Sequence, residues 1–293
     1  MPLKLTRATP RPKTAFGQII SEVGRRFFSH GVGRNAAALS YYLLFAIFPL
    51  LVLTSLLVGL LHVDIASTTA LLSRVIPADV VDVIESYLQY ISGLRSPRIL
   101  WFCMVFSIWF PMRAINSLTF AIRRAYGRPA PKNQLRNEFL LLLAALVLIL
   151  VISFSLLLIV IGRRVLELAA RFVTLSGTFI TLWNYGRFAI LFFIIFCSVA
   201  AVYPLALGRR LPWRDVVPGV LISVFGGTLL SAAFSYYVEH FGKYSILYGS
   251  IATIVVVLLW LYMTSNILIL GAEFSAVLSR RRRQKPAPEE VHL

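Results

Sequence analysis

Acidic side chains are scarce in this chain: 12 Asp and Glu stand against 29 Lys and Arg, for a formal net charge of +17 over 293 residues. Charged residues of both signs make up 14% of the sequence, well under the roughly 25% usual in soluble domains. Only two cysteines occur, Cys103 and Cys197. Both fall within apolar stretches, which excludes a disulfide framework and reads as packing. The four histidines, His30, His62, His240 and His292, are scattered without metal-ligand spacing, so no metal or cofactor is expected. No phosphate-binding Gly-Lys-Ser/Thr loop and no nucleophile elbow occurs. The chain is therefore not expected to be an enzyme, and no ATP-driven step is expected of it alone. No cleavable signal peptide is expected from the visible pattern. The first apolar run begins near residue 37 after a long basic arm and should act as a retained anchor.

Long hydrophobic runs dominate instead. Six stretches, about 37–61, 99–122, 139–161, 185–207, 216–238 and 246–274, are each long enough to cross a bilayer, since roughly 20 helical residues cover the ~30 Å hydrocarbon core. Of the 29 Lys and Arg, 20 lie on the side shared by the two termini and 7 on the other. The positive-inside rule then places both termini in the cytoplasm. The expected fold is all-α: a polytopic bundle of six transmembrane helices with amphipathic interfacial helices. Its positive charge flanks these helices mostly on one side. Membrane lipids, with anionic headgroups on the cytoplasmic side, are therefore the expected partners, and no nucleic acid is expected.

Residues 1–15 read as a disordered basic arm, 16–279 as the membrane domain and 280–293 as a basic tail. Phe16, Ile19, Ile20, Val23 and Phe27 recur at helical spacing, which predicts an amphipathic surface helix. Its Arg25 and Arg26, with Arg280, Arg281, Arg282 and Arg283 after the last span, are the expected headgroup contacts. Gly31 and Gly33 should end that helix, with the chain entering the membrane near Asn35. Within the 62–98 connection, Val80, Val83, Ile84, Tyr87, Leu88 and Ile91 predict another helix over 77–92 with Asp79, Asp82 and Glu85 on its wet face. It reads as a helix on the outer surface or as a lid. The 162–184 segment holds a further partly amphipathic stretch.

Polar groups inside hydrocarbon need partners or a wet cavity. Arg113 is the costliest, at about 2.5–3.5 kcal/mol for an Arg at helix centre on insertion scales, and Asn116 lies one turn away. Either both sit within the second span, or the span ends near Pro111 and Arg113 snorkels to the interface. Glu273 near the end of the sixth span could pair with Arg113 or with basic cytoplasmic loops, or bind a proton or cation. Asn266, Ser265 and Thr264 add polarity to the same helix, and Pro49 should kink the first span. Small residues at Gly219, Ser223, Gly227, Ser231 and Ser235 form a ladder for close helix packing, with a homo-oligomer contact as the alternative.

Two stretches carry a family resemblance. Asn35-Ala-Ala-Ala-Leu-Ser-Tyr-Tyr, running on to Phe48-Pro49-Leu50-Leu51, resembles the first-span signature of the YihY/BrkB family of bacterial inner-membrane proteins. Tyr248-Gly249-Ser250, Leu259-Trp260-Leu261-Tyr262 and Leu270-Gly271-Ala272-Glu273-Phe274 resemble its last-span signature. Members often have Ser where this chain has Ala46. The resemblance, over about residues 16–280, implies a six-helix cytoplasmic-membrane protein; some members bear a ribonuclease BN label. Hydrolysing RNA needs metal ligands or an acid/base pair open to a polyanion, and the sequence offers neither on its basic loops. The leading expectation is a transporter or flippase for an anionic or amphipathic substrate such as a lipid or envelope precursor. Its path would be lined by Pro49, Arg113, Asn116, Asn266 and Glu273. The alternative is a scaffold that binds lipids or partner proteins without transport.

Overall fold

The computed structural model describes residues 14–60, 97–172, 177–208, 211–241 and 250–284. The 77–92 helix, most of the basic arm, the tail after Gln284 and the Tyr248-Gly249 pair lie outside the described residues. Within them the chain is all helical. The short α1 (Ala15–Ser29) is followed by α2 (Val32–Leu60), α3 (Pro97–Ala125), α4 (Gln134–Phe172), α5 (Gly177–Leu207), α6 (Trp213–Phe241) and α7 (Ser250–Gln284). All but α1 are long and apolar enough to cross a membrane. Hydrocarbon offers no hydrogen bonds to a peptide group, so closure of every backbone bond within one helix is the available solution.

Side-chain distribution fits a lipid surround. Leu229 is 73% exposed and Phe193 65%. The buried set is instead rich in small residues, including Ala36, Ala114, Ala121, Ala145, Ala200 and Ala272. Helices in lipid gain little from apolar burial against one another, so small side chains that permit close approach define the interfaces. α3 sits centrally, against α2, α4, α5 and α7. Its Ile122 joins Tyr203 of α5, Val220 of α6 and Ala272 of α7 in one cluster. Its Ala121 joins Val32, Ala36 and Ile269 in another.

Boundaries differ from the sequence reading in informative places. Thr14 caps α1 by accepting from the Gly17 amide at 3.2 Å. The break after α1 comes at His30 and at Gly31, whose φ of +62° suits glycine, whereas Gly33 is already inside α2. α2 continues through Pro49 and α3 through a fully buried Pro111, without ending at either. α3 does not break near Pro111, and Arg113 belongs to the interior of that helix. Residues 162–172 are not a separate stretch but the last turns of α4. Cys197 is half-buried rather than buried.

The small-residue ladder packs α6 on α7 within the chain. A Cβ at Gly219 would stand 2.2 Å from the Gly271 carbonyl oxygen, and one at Gly271 would stand 2.1 Å from Ser223 Oγ. In this contact Ser275 Oγ accepts from the Gly219 amide at 2.9 Å and donates to the Val216 carbonyl at 3.3 Å. Higher up, Trp260 Nε1 donates to Ser231 Oγ at 3.1 Å. Gly227 does not belong to the contact: no described atom lies within 4 Å of a Cβ there, and Gly226, facing Ile267, takes its place. An exact four-residue repeat drifts by about 40° per step on a helix of 3.6 residues per turn, so two steps carry position 227 off the seam. Gly219→Ala should therefore destabilise the protein by about 3 kcal/mol or more, while Gly227→Ala leaves it unchanged, as read by thermal unfolding in detergent.

Candidate functional site

Charge at the basic end of the bundle is organised by two buried carboxylates. Glu273 of α7 is 1% exposed. His30 Nδ1 lies 2.5 Å from its Oε1, and Arg26 Nη1 lies 3.7 Å from its Oε2. The imidazole and the carboxylate are thus hydrogen-bonded between α1 and α7. Arg26, itself buried, also pairs with Glu22 at 2.9 Å and donates to the Ala125 carbonyl, the last of α3, at 3.2 Å. The second carboxylate, Asp215, occupies the first turn of α6, where the helix dipole favours negative charge. It accepts from Ser279 Oγ at 3.0 Å and pairs with Arg282 at 3.6 Å and Arg283 at 3.8 Å.

Arginines also close the open helix ends. Arg124 Nη2 donates to the Ser29 carbonyl of α1 at 3.4 Å, so α1 and α3 cap each other's C-terminus. Arg123 Nε donates to the Ala206 carbonyl of α5 at 2.5 Å, and its Nη2 to Asn137 Oδ1 at 2.8 Å. Orphan carbonyls at a helix C-terminus attract cations in this way.

The six predicted headgroup arginines thus divide. Arg26 is a correction: it turns inward to Glu273 rather than outward to phosphates, because an unpaired buried carboxylate would cost far more than an exposed one. Arg281 pairs with Glu22 at 3.6 Å, and Arg282 bonds the Arg214 carbonyl and Asp215, so these two tie the end of α7 to α1 and α6. Arg25, Arg280 and Arg283 join Arg26 around an open cavity of about 740 Å³ between α1, α3 and α7.

The proposed path residues do not form one constellation. Ala121 and Ile269 share a cluster and set the register of the parallel helices α3 and α7. At 1.5 Å per residue, Asn116 and Asn266 lie within about 3 Å of each other in depth, and Arg113 about 4.5 Å beyond Asn116 toward the far end. Glu273 lies about 18 Å from Arg113 along the axis, so pairing of those two is replaced by pairing with α1. Pro49 lies further toward the far end again, by about 8 Å.

Near the depth of Asn116 the bundle carries buried polar atoms with no hydrogen-bond partner among the described residues: Thr264 Oγ1, Ser265 Oγ and Asn266 Oδ1. Asn266 Nδ2 donates back to the Tyr262 carbonyl at 2.8 Å. Arg113 is half-buried, and its guanidinium stands 5.5 Å from the centroid of the Trp109 ring one turn earlier. It makes no ion pair with any described carboxylate. Among the described residues no three His, Cys, Asp or Glu side chains gather in a way that could hold a metal.

Six apolar helices with a charged latch at one end define an integral, polytopic membrane protein. The chain belongs to the family described as virulence factor BrkB, which matches residues 23–292; the expected membership holds. It is similar to a Bacillus subtilis protein named ribonuclease-like protein YfkH, 26% identical over 264 residues, 90% of this chain and 96% of that one. It is also similar to UPF0761 membrane proteins. That of Pseudoalteromonas translucida is 30% identical over 104 residues, 36% of this chain and 32% of its own. That of Tolumonas auensis is 38% identical over 87 residues, 26% of this chain and 29% of its own. No solved structure matches.

His30 and Asp215 escaped the sequence reading. His30 meets a partner 243 positions away, which no local pattern signals, although the acidic first turn of α6 was visible. Removing one partner of a buried ion pair costs about 3 kcal/mol or more. Arg26→Met should therefore lower the unfolding free energy by about that much, and Arg26→Met with Glu273→Met should restore part of it. Chemical unfolding of the four proteins of that double-mutant cycle checks the coupling.

Proposed function

We propose that this protein moves an anionic or amphipathic substrate, such as a lipid or envelope precursor, across a bacterial inner membrane, with both termini cytoplasmic. The observation that carries the reading is the buried polar layer of Thr264, Ser265 and Asn266, whose atoms Thr264 Oγ1, Ser265 Oγ and Asn266 Oδ1 have no partner among the described residues, near the depth of Asn116 and Arg113. In hydrocarbon such atoms are costly unless water or a substrate meets them, and an intramembrane Arg marks a pathway for negative charge. A continuous α3 supports this, since Arg113 stands within an unbroken, largely apolar helix. The 20 to 7 distribution of basic residues supports the orientation.

A non-transporting scaffold is the second reading, favoured by Ile20 (54% exposed) and Phe28 (83% exposed) on α1, which offer apolar surface to lipid or a partner. No catalytic role is proposed. The ribonuclease-like name belongs to the Bacillus relative, and metal-dependent cleavage of RNA by the pure protein would establish that third reading against the other two.

The test is flux through proteoliposomes carrying fluorescent phosphatidylglycerol, with dithionite quenching as the readout. Wild type should translocate the lipid faster than empty vesicles. Loss of a charged hydrogen-bond donor should slow Arg113→Leu by about tenfold or more, with the exposed Arg136→Ala unaffected. Equal rates with and without the protein, for this lipid and for small anions, would favour the scaffold.

A further inference from the structure

The cavity between α1, α3 and α7 carries far more positive charge than its surroundings consume. Among the described residues six arginines line it, Arg25, Arg26, Arg124, Arg128, Arg280 and Arg283, against one carboxylate, Glu22. Three of the six have structural partners. Arg26 is held by Glu22 and Glu273, Arg283 by Asp215, and Arg124 leans on the Ser29 carbonyl. Arg25, Arg128 and Arg280 are exposed and make no ion pair with any described carboxylate. The C-termini of α1 and α3 contribute about −0.5 charge each, which leaves the excess positive.

Backbone geometry aims these groups at one volume. Gly127, at φ +64°, ends α3 in a turn where the Gly127 amide donates to the Arg124 carbonyl at 3.1 Å and the Arg128 amide to the Arg123 carbonyl at 2.8 Å. That closure needs a residue that tolerates positive φ, and it folds Arg128 back beside Arg124. Arg280 arrives from α7 and Arg25 from α1, whose position is fixed by the Glu273 latch. Ser29 and Ser279 add hydroxyls to the lining.

We propose that this cavity binds a phosphate group, through Arg25, Arg128 and Arg280 with Arg124 in support. Guanidinium forks match phosphate oxygens two at a time, and several forks converging on one volume suit an anion of more than one charge. A volume near 740 Å³ is of the size that holds a phosphorylated small molecule or a lipid headgroup rather than a bare ion. The site does not rest on the transport reading, since a scaffold could use it equally.

The test uses the full-length protein in phosphatidylcholine nanodiscs. Wild type is set beside the triple variant Arg25→Gln, Arg128→Gln, Arg280→Gln and the control Arg136→Gln, an exposed arginine at the same end outside the cavity. Native mass spectrometry with added phosphatidylglycerol reads the lipid source, and calorimetry with inorganic phosphate reads the soluble one. Expected is one retained phosphatidylglycerol or phosphate per wild-type chain, with affinity about tenfold or more weaker in the triple variant and unchanged in the control. Phosphatidylglycerol alone being retained makes the ligand a headgroup; phosphate binding makes it a soluble ester. The proposal is overturned if neither binds, or if Arg136→Gln weakens binding as much as the triple variant, since that is a diffuse surface field and not a site. Because the three exchanged residues are exposed and outside the Arg26–Glu273 pair, a thermal midpoint equal to wild type verifies that the variant is folded.

Discussion

A carboxylate in a nearly waterless place constrains the whole basic end of this molecule. Glu273 is 1% exposed, and desolvating an ion costs several kcal/mol unless opposite charge and hydrogen bonds replace the lost water. Those replacements come from α1, through Arg26 and His30. An amphipathic helix that could otherwise float on the membrane surface is thereby docked in one orientation. Docking α1 in turn supplies the cap for α3 and one wall of the arginine-lined cavity. A single ionisable side chain thus links helix placement, helix termination and the shape of a cavity.

α7 is the helix through which these demands meet. Its Gly271 and Ser275 face α6 at a separation that leaves no room for a further carbon. Its Thr264, Ser265 and Asn266 carry the polar layer, and its Glu273 holds α1. The last turns, Ser279 to Arg283, fasten to α6 and α1 through Asp215 and Glu22. Tight van der Waals contact at one face and ionic contact at another make its rotation about its own axis costly, because a turn of one residue would break both at once.

Much of the fold was legible because the bilayer imposes length and polarity on each span. Six apolar runs gave six helices, and the hydrophobic spacing of Phe16 to Phe27 gave α1. Pro111 suggested a helix end, yet α3 continues through it, as α2 does through Pro49, and membrane helices tolerate such prolines when neighbours satisfy the freed groups. The site was less legible. Arg113 and Glu273 stood out by cost alone, but cost does not name a partner. Glu273 meets a histidine and an arginine 243 and 247 positions away. The exact four-residue ladder was read as one face, whereas helix geometry rotates Gly227 out of it.

The length of α4 bears on how the molecule can be seen. Its 39 residues extend about 58 Å, nearly twice the ~30 Å hydrocarbon thickness. Tilt alone would have to approach about 60° to hide such a rod, far beyond the roughly 0–40° common for membrane helices. Part of it must lie outside the hydrocarbon core, at the end of the bundle opposite the Glu273 latch. In a detergent micelle that mast would break the featureless outline of a small membrane protein, giving electron-microscope images a landmark from which each particle's up and down can be assigned.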